Sequence, residues 1–365
     1  MEKKRFALVA LFSLLLLLFV ACGGQTTPEP TEPAAQPTEE EMQPTEEPME
    51  EPTEAPMEEP TEAPMEEPTE EPMEEPTEEP MEEATEAPVE GATDLGTEDN
   101  PIVMSFVPSG DTQEILVSGD ALAEMISEST GLTVVANVGT DFAAVREAMG
   151  AGQAHIGWLN TFNYILAHEK YGIDVALVTQ RFGSTFYNGQ IIVNNDSGIE
   201  SLDDLVGKTM CWVDPNSTSG YIIPRIMLQA NGIDPDTDFA ETLEAGSHNN
   251  VVIQVYNGEC DAGATYVDAR TSVEEDFPDV NDKVSVLATT TDIPNDSVSF
   301  TPDFPEDMRQ QIVDALLEIA DTPDGQEALN TLYSIEGLQE ADDSFYDPFR
   351  LDLSRAGIDI EELAQ

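Results

Sequence analysis

Bases are what this chain lacks most: 13 Lys and Arg stand against 75 Asp and Glu in 365 residues, a formal net charge of −62. The shortage is not confined to one tail. Between residues 26 and 98 there are 27 acids and no base. Setting these aside with Glu2, Lys3, Lys4 and Arg5 leaves 47 acids and 10 bases, so the remainder still sits near −37. Such a polyanion does not hold phosphate backbones, which excludes nucleic acid as a partner. Any anion it does bind must be held by local donors against the overall field. Cysteine occurs only as Cys22, Cys211 and Cys260, and histidine only as His155, His168 and His248. There is no Cys-x-x-Cys, no Gly-x-Ser-x-Gly elbow and no His-Glu-x-x-His. Neither a metal nor a cofactor is implied.

Long apolar runs are also scarce. The one at the front, 6–20, follows Lys3, Lys4 and Arg5 and reads as the h-region of a signal peptide, too short for a comfortable membrane span. It ends in Phe19-Val20-Ala21-Cys22, which resembles a bacterial lipobox. That implies cleavage after a signal peptide at 1–21 and a diacylglycerol on Cys22; plain secretory cleavage is the alternative. The mature chain is then expected to be lipid-anchored, on the outer face of the cytoplasmic membrane or in a periplasm.

From 22 to 98 an octapeptide, Pro-Thr-Glu-(Glu/Ala)-Pro-Met-Glu-Glu, recurs from Pro44, Pro52, Pro60, Pro68 and Pro76. Each unit lacks the apolar residues of a stacked core, and its prolines delete backbone donors, so a solenoid is excluded. Like charge and proline favour a hydrated, extended tether reaching on the order of 200 Å if fully stretched.

The rest is large enough for one large or two medium domains. Apolar strand-like runs at 102–107, 132–138, 155–158, 175–178, 189–194, 210–213, 241–245, 260–266, 284–289 and 297–300 alternate with helical patterns at 121–129, 142–149, 161–169, 249–257, 305–320, 324–332 and 343–356. Alternation of this kind predicts an α/β fold, mostly parallel, with ligands at strand C-terminal ends.

One stretch carries the chemistry. Asp214-Pro215-Asn216-Ser217-Thr218-Ser219-Gly220 follows the apolar run 210–213 and precedes a helix that Asn231-Gly232 stops. Pro224 fits only in that helix's first turn, which places its start at 219–223. Unpaired N–H groups, the positive dipole end and three hydroxyls together suit a tetrahedral oxyanion. An ordinary capped strand-turn-helix corner is the other reading.

This motif resembles that of the phosphate, phosphite and phosphonate-binding proteins of ABC importers. Ala245-Gly246-Ser247-His248 and the run from Asp261 to Arg270 match as well. So do Gly139-Thr140-Asp141-Phe142, Ile156-Gly157-Trp158-Leu159-Asn160 and Ile293-Pro294-Asn295-Asp296. The likeness covers 100–340 in order. It implies a two-lobed type II periplasmic binding protein with a cleft between lobes, 99–189 plus 290–365 forming lobe one and 190–289 lobe two. It implies a monomer that carries a small oxyanion to a permease. By the same resemblance Ser217, Thr218, Ser219 and His248 hold the oxyanion, His248 as a ring donor and even as the cation. Asp268 and Asp296 then meet a substituent or a proton on the ligand; the alternatives are an Asp268–Arg270 salt bridge and a solvated loop at Asp296. Phe142 and Leu159 stand where relatives present Tyr hydroxyls, with Asn160 or Tyr164 as replacement donors, which favours a compact or apolar substituent. His155 and His168 have no matching role.

Other functions are open to the same fold: a sulfonate or carboxylate ligand, or delivery to a sensor kinase or chemoreceptor. A Ser217–His248–acid triad can be drawn, but a serine in a triple-hydroxyl cap is better placed to donate than to attack, and no enzyme is expected. In the family's strand order the strands begun by Cys211 and Cys260 are neighbours, which permits a disulfide in an exported protein. Both positions also suit small packed side chains, and two buried thiols are expected.

Overall fold

The computed structural model describes residues 94–363. The expected signal peptide, the lipidation site Cys22 and the expected tether up to residue 93 lie outside the described residues. Residues 94–98, read from sequence as the end of the tether, belong to the fold. Leu95 packs on the core, and Gly96 donates to Asn100 O (2.8 Å) while accepting from Thr133 N (2.7 Å). A single large aliphatic residue after a stretch almost devoid of them anchors this entry segment.

Among the described residues, eleven strands form two sheets. In chain order they are β1 (Ile102–Phe106), β2 (Val134–Val138), β3 (Ile156–Leu159), β4 (Asp174–Gln180), β5 (Phe186–Asn194), β6 (Thr209–Trp212), β7 (Glu241–Glu244), β8 (Ala262–Tyr266), β9 (Val284–Pro294), β10 (Ser297–Phe300) and β11 (Gly337–Glu340). The first sheet runs β11-β4-β10-β3-β1-β2, the second β7-β6-β8-β5-β9. Between the strands lie α1 (Thr112–Thr130), α2 (Phe142–Gly150), α3 (Thr161–Tyr171), α4 (Ile223–Ala230) and α5 (His248–Asn257).

The parallel expectation holds where helices cross over: β1 pairs parallel with β2 and β3, and β6 with β7 and β8. The remaining pairings are antiparallel. β10 opposes β3 and β4, β11 opposes β4, and β5 opposes β8 and β9. Buried apolar runs such as Ile156-Gly157-Trp158-Leu159 in β3 are what a strand covered on both faces requires.

α1 begins nine residues before the start expected at Ala121. Asp111 caps it, its Oδ1 accepting from Gln113 N (2.9 Å) and Glu114 N (3.0 Å). Gly119 lies inside the helix, not at a break: a Cβ there would meet Phe106 Cε2 at 2.7 Å, so glycine sets how closely α1 approaches β1. No helix among the described residues is long and apolar enough to cross a membrane.

β5 and β9 join the two lobes. They pair antiparallel along their whole length, from Phe186 opposite Pro294 to Asn194 opposite Val284. At the first-lobe end the turn after β9 is tied to the end of β4 and to the turn before β5: Thr179 N donates to Asp296 O (2.9 Å), and Asn295 N to Thr185 O (2.8 Å).

The cysteines correct one expectation. Cys211 and Cys260 are joined in a disulfide with Cα atoms 5.9 Å apart, rather than standing as two buried thiols. β6 and β8 are neighbours, Cys211 lies opposite Gly263, and Cys260 sits just before β8 begins. The strand adjacency suggested by the family likeness is thus what brings the sulfurs together.

Candidate functional site

The Ser217 turn leaves the C-terminal end of β6, and the Ser247-His248 corner leaves the end of its parallel neighbour β7. The helix after Ser217 opens with one wide turn, Thr218–Ile222, in which Ile222 N reaches back to Ser217 O (3.0 Å). α4 follows with Pro224 in its first turn, as its missing N–H demands. Wide turns of this type concentrate at functional sites. Ser217 caps the turn, its Oγ accepting from Gly220 N (3.2 Å). Gly220 is needed for close approach: a Cβ there would meet Val213 Cγ2 at 2.3 Å. Ser217, Thr218 and Ser219 are all buried.

These residues line a cavity of about 70 Å³ between the lobes, with Phe142, Asn160, His248 and Asp296 also on its wall. Such a space admits roughly five to seven water-sized groups, enough for a tetrahedral anion with a small substituent.

Thr218 is bound to the first lobe. Its Oγ1 accepts from Asn160 Nδ2 (2.8 Å) and from Phe162 N (2.9 Å). Asn160 Nδ2 also donates to Asn216 O (2.8 Å), and Arg146 Nη1 to Asn216 Oδ1 (3.3 Å). Asn160, expected as a substitute donor to the ligand, therefore spends its amide N–H groups on the opposite lobe. Thr218 keeps its own O–H to donate.

His248 is buried, and its Nδ1 lies 2.8 Å from Thr265 Oγ1. Burial, reinforced by the Arg181 charge, pushes its pKa down to about 3. The expected imidazolium is thus corrected: at neutral pH His248 is an uncharged ring.

The remaining expected residues divide. Asp296 is buried, and its Oδ2 takes Arg181 Nη2 at 2.6 Å, so it does not solvate a loop. Asp268 lies off the cavity wall, 3.0 Å from Arg270 Nη2 and 43% exposed, which realises the salt-bridge alternative. Leu159 is fully buried in β3 but does not line the cavity. Tyr164 also turns away, its hydroxyl donating to Asp343 Oδ1 (2.8 Å). His155 has a structural role, its Nδ1 accepting from Val103 N (3.0 Å), and His168 Nδ1 lies 2.9 Å from Ile173 O.

Among the wall residues that escaped the sequence reading are Arg181, Tyr187, Tyr266 and Tyr333. Three of these are phenols, of which Tyr333 donates its O–H to Val107 O (2.6 Å). Burial raises the pKa of each, so all stay protonated donors. Arg181 stands in the turn between β4 and β5, its guanidinium over the rings of Tyr187 (5.4 Å) and Tyr266 (5.8 Å). Burial alone works against its charge, but Asp296 and the surrounding phenols outweigh it and hold its pKa up. A signal was present. Of the 10 bases after residue 98, eight have an acid within four residues; Arg181 and Arg225 do not.

Similarity to known proteins agrees with this geometry. Residues 104–346 match the family described as ABC transporter, phosphonate, periplasmic substrate-binding protein. The chain is 29% identical over 175 residues to the phosphate-import protein PhnD of Mycolicibacterium smegmatis, covering 45% of this chain and 54% of that protein. It is 26% identical over 212 residues to the phosphonates-binding periplasmic protein of Escherichia coli K12, covering 57% of this chain and 62% of that one. The matched segments thus span less than two thirds of either relative. Among solved structures, a binding protein component of an ABC phosphonate transporter from Pseudomonas aeruginosa superposes with a TM-score of 0.65 at 23% identity, covering 70% of this chain and 87% of that one. PhnD1 of Prochlorococcus marinus in complex with methylphosphonate gives 0.64 at 15% identity, covering 71% and 98%. The fold is that of a two-lobed type II periplasmic binding protein, and with two thirds of its length matched by the family model, the chain belongs to the periplasmic substrate-binding proteins of phosphonate ABC transporters.

Proposed function

We propose that this protein is the extracytoplasmic solute-binding component of an ABC importer. It takes a phosphonate, phosphite or phosphate-type oxyanion into the interlobe cleft and delivers it to a permease. Ser217, Thr218 and Ser219 hold the oxyanion with hydroxyls and backbone N–H groups, and His248 donates from its neutral ring. Asp296 Oδ1, buried and without a hydrogen-bond partner, accepts the proton of a singly ionised ligand. Phe142 and Asn160 close the wall. The protein works as a lipid-anchored monomer, with Cys22 carrying the lipid and the Pro/Glu repeat holding the lobes away from the membrane.

The observation that carries this reading is the buried triple-hydroxyl helix start facing a small cavity between the lobes in a protein otherwise rich in negative charge. Only a local array of donors holds an anion in such a field. Calorimetry of the soluble protein against phosphate, phosphite, methylphosphonate and 2-aminoethylphosphonate tests it. Binding of at least one is expected. Silence toward all four, with uptake of a sulfonate or a carboxylate instead, overturns it.

A further inference from the structure

We propose that Arg181 is a ligand-contacting, specificity-determining residue that supplies the cleft's one full positive charge to the oxyanion, and that it thereby selects compact phosphonates over aminoalkyl ones. The inference rests on the oxyanion reading above and adds to it the residue that reads charge.

Arg181 is the only Lys or Arg on the cavity wall, against Asp111, Glu114 and Asp296. It is 6% exposed. A guanidinium has five N–H donors, yet among the described residues its side chain makes a single hydrogen bond, from Nη2 to Asp296. Its Nε is buried without a partner. Burying an arginine so incompletely satisfied is costly unless the free edge of the fork has an acceptor. A tetrahedral oxyanion presents two oxygens at the spacing a planar fork engages, and arginine is the residue type suited to that contact. The other wall donors are neutral: hydroxyls, backbone N–H groups and the uncharged His248.

The fork is held in place from three directions. Asp296 anchors Nη2 from the turn after β9, while Tyr187 on β5 and Tyr266 on β8 pack their rings against the guanidinium. Arg181 and Asp296 stand in the two turns through which the chain crosses between lobes, so the charge is supplied from the hinge. This arrangement also bears on the substituent. In aminoalkyl phosphonates an ammonium group seeks a carboxylate, and the carboxylate beside the fork, Asp296, already faces a cation. A second positive charge beside Arg181 is repelled, whereas a methyl group or a hydrogen is not.

Calorimetry of the full chain with methylphosphonate tests this. Arg181→Gln alone leaves Asp296 unpaired and risks misfolding. The informative pair is therefore Asp296→Asn and the double variant Arg181→Gln/Asp296→Asn, both checked by circular dichroism. Adding Arg181→Gln to the Asp296→Asn background is expected to weaken methylphosphonate binding by about thirtyfold, the loss of a charge-assisted contact. Arg181→Lys, which keeps the charge without the fork, should lose less. The wild type should prefer methylphosphonate to 2-aminoethylphosphonate by at least about tenfold, and the double variant should narrow that preference. If the double variant binds methylphosphonate within about threefold of Asp296→Asn, Arg181 is only a structural partner and the inference fails alone. If the wild type binds none of the four oxyanions, the oxyanion reading fails and takes this one with it.

Discussion

Two aspartate–arginine pairs follow consecutive strands of the second sheet, and they have opposite natures. Asp268, after β8, meets Arg270 at 3.0 Å with the carboxylate 43% exposed. Asp296, after β9, meets Arg181 at 2.6 Å with the side chains 11% and 7% exposed. In sequence the two acids look alike. Arg270 is two residues from its partner, while Arg181 is 115 residues from Asp296. The near pair needs no distant segment to bring its partners together, and its carboxylate faces solvent. The far pair exists only once both lobe-crossing turns are in register, and there it borders a cavity. Burial and chain separation, not pairing itself, distinguish a constraint from a decoration.

The first way to break this contrast is to remove each acid. Asp296→Ala strands a buried guanidinium and should cost about 3–5 kcal/mol of stability. Asp268→Ala should cost at most about 1 kcal/mol. Urea midpoints of the two variants decide it, and equal losses would erase the distinction.

The disulfide gives a covalent yardstick for the same measurement. Cys211 and Cys260 are 49 residues apart, and opening a loop of that length should remove about 4 kcal/mol. A urea melt of Cys211→Ser/Cys260→Ser, set beside that of Asp296→Ala, shows whether one buried ion pair matches a crosslink.

A third measurement uses His248, another buried ionisable group near Arg181. Its folded pKa is lowered to about 3 from an ordinary 6.5. Below 6.5 the unfolded chain takes up a proton that the folded one refuses, so this stability is complete above 6.5 and declines as pH falls toward 3. At 1.36 kcal/mol per unit, moving from pH 7 to pH 5 should cost about 2 kcal/mol. His248→Gln should remove that part of the slope in paired melts.

The smallest effects concern binding. His248→Ala and Thr218→Val should each weaken the best oxyanion by at least about tenfold, near 1.4 kcal/mol. Asp268→Asn should leave its affinity unchanged. If both clamp variants titrate like the wild type while folded, the anion sits elsewhere.

Much of the fold was legible because periodicity and punctuation are local. Pro224 placed the helix start and Asn231-Gly232 its end. The Ser217–Ser219 array and His248 were legible for the same reason, each being an uninterrupted stretch. What was hidden is what depends on distant partners. β11, a four-residue strand with two exposed positions, carries too weak a pattern to read alone. Asn160 looked like a ligand donor because nothing local reveals that its amide meets Asn216 and Thr218, 56 and 58 residues away. Arg181 and the three wall tyrosines come from a turn, two strands and the end of the helix Pro323–Tyr333, which converge only after folding. Even the disulfide depended on knowing that β6 and β8 are adjacent.

Thr218 Oγ1 has a thermodynamic consequence. It accepts two N–H bonds from the first lobe, and in the proposed complex it donates its remaining hydrogen to the anion. Accepting bonds makes a hydroxyl a stronger donor, so the two events reinforce each other at one oxygen. Closure and capture then share a coupling free energy that must be reciprocal: whatever closure adds to affinity, the anion adds to closure. A permease that pries the lobes apart needs no contact with the ligand to loosen it. The observed dissociation constant exceeds the intrinsic one by the inverse of the closed fraction, so a substitution that only weakens closure reads out as a weaker binder.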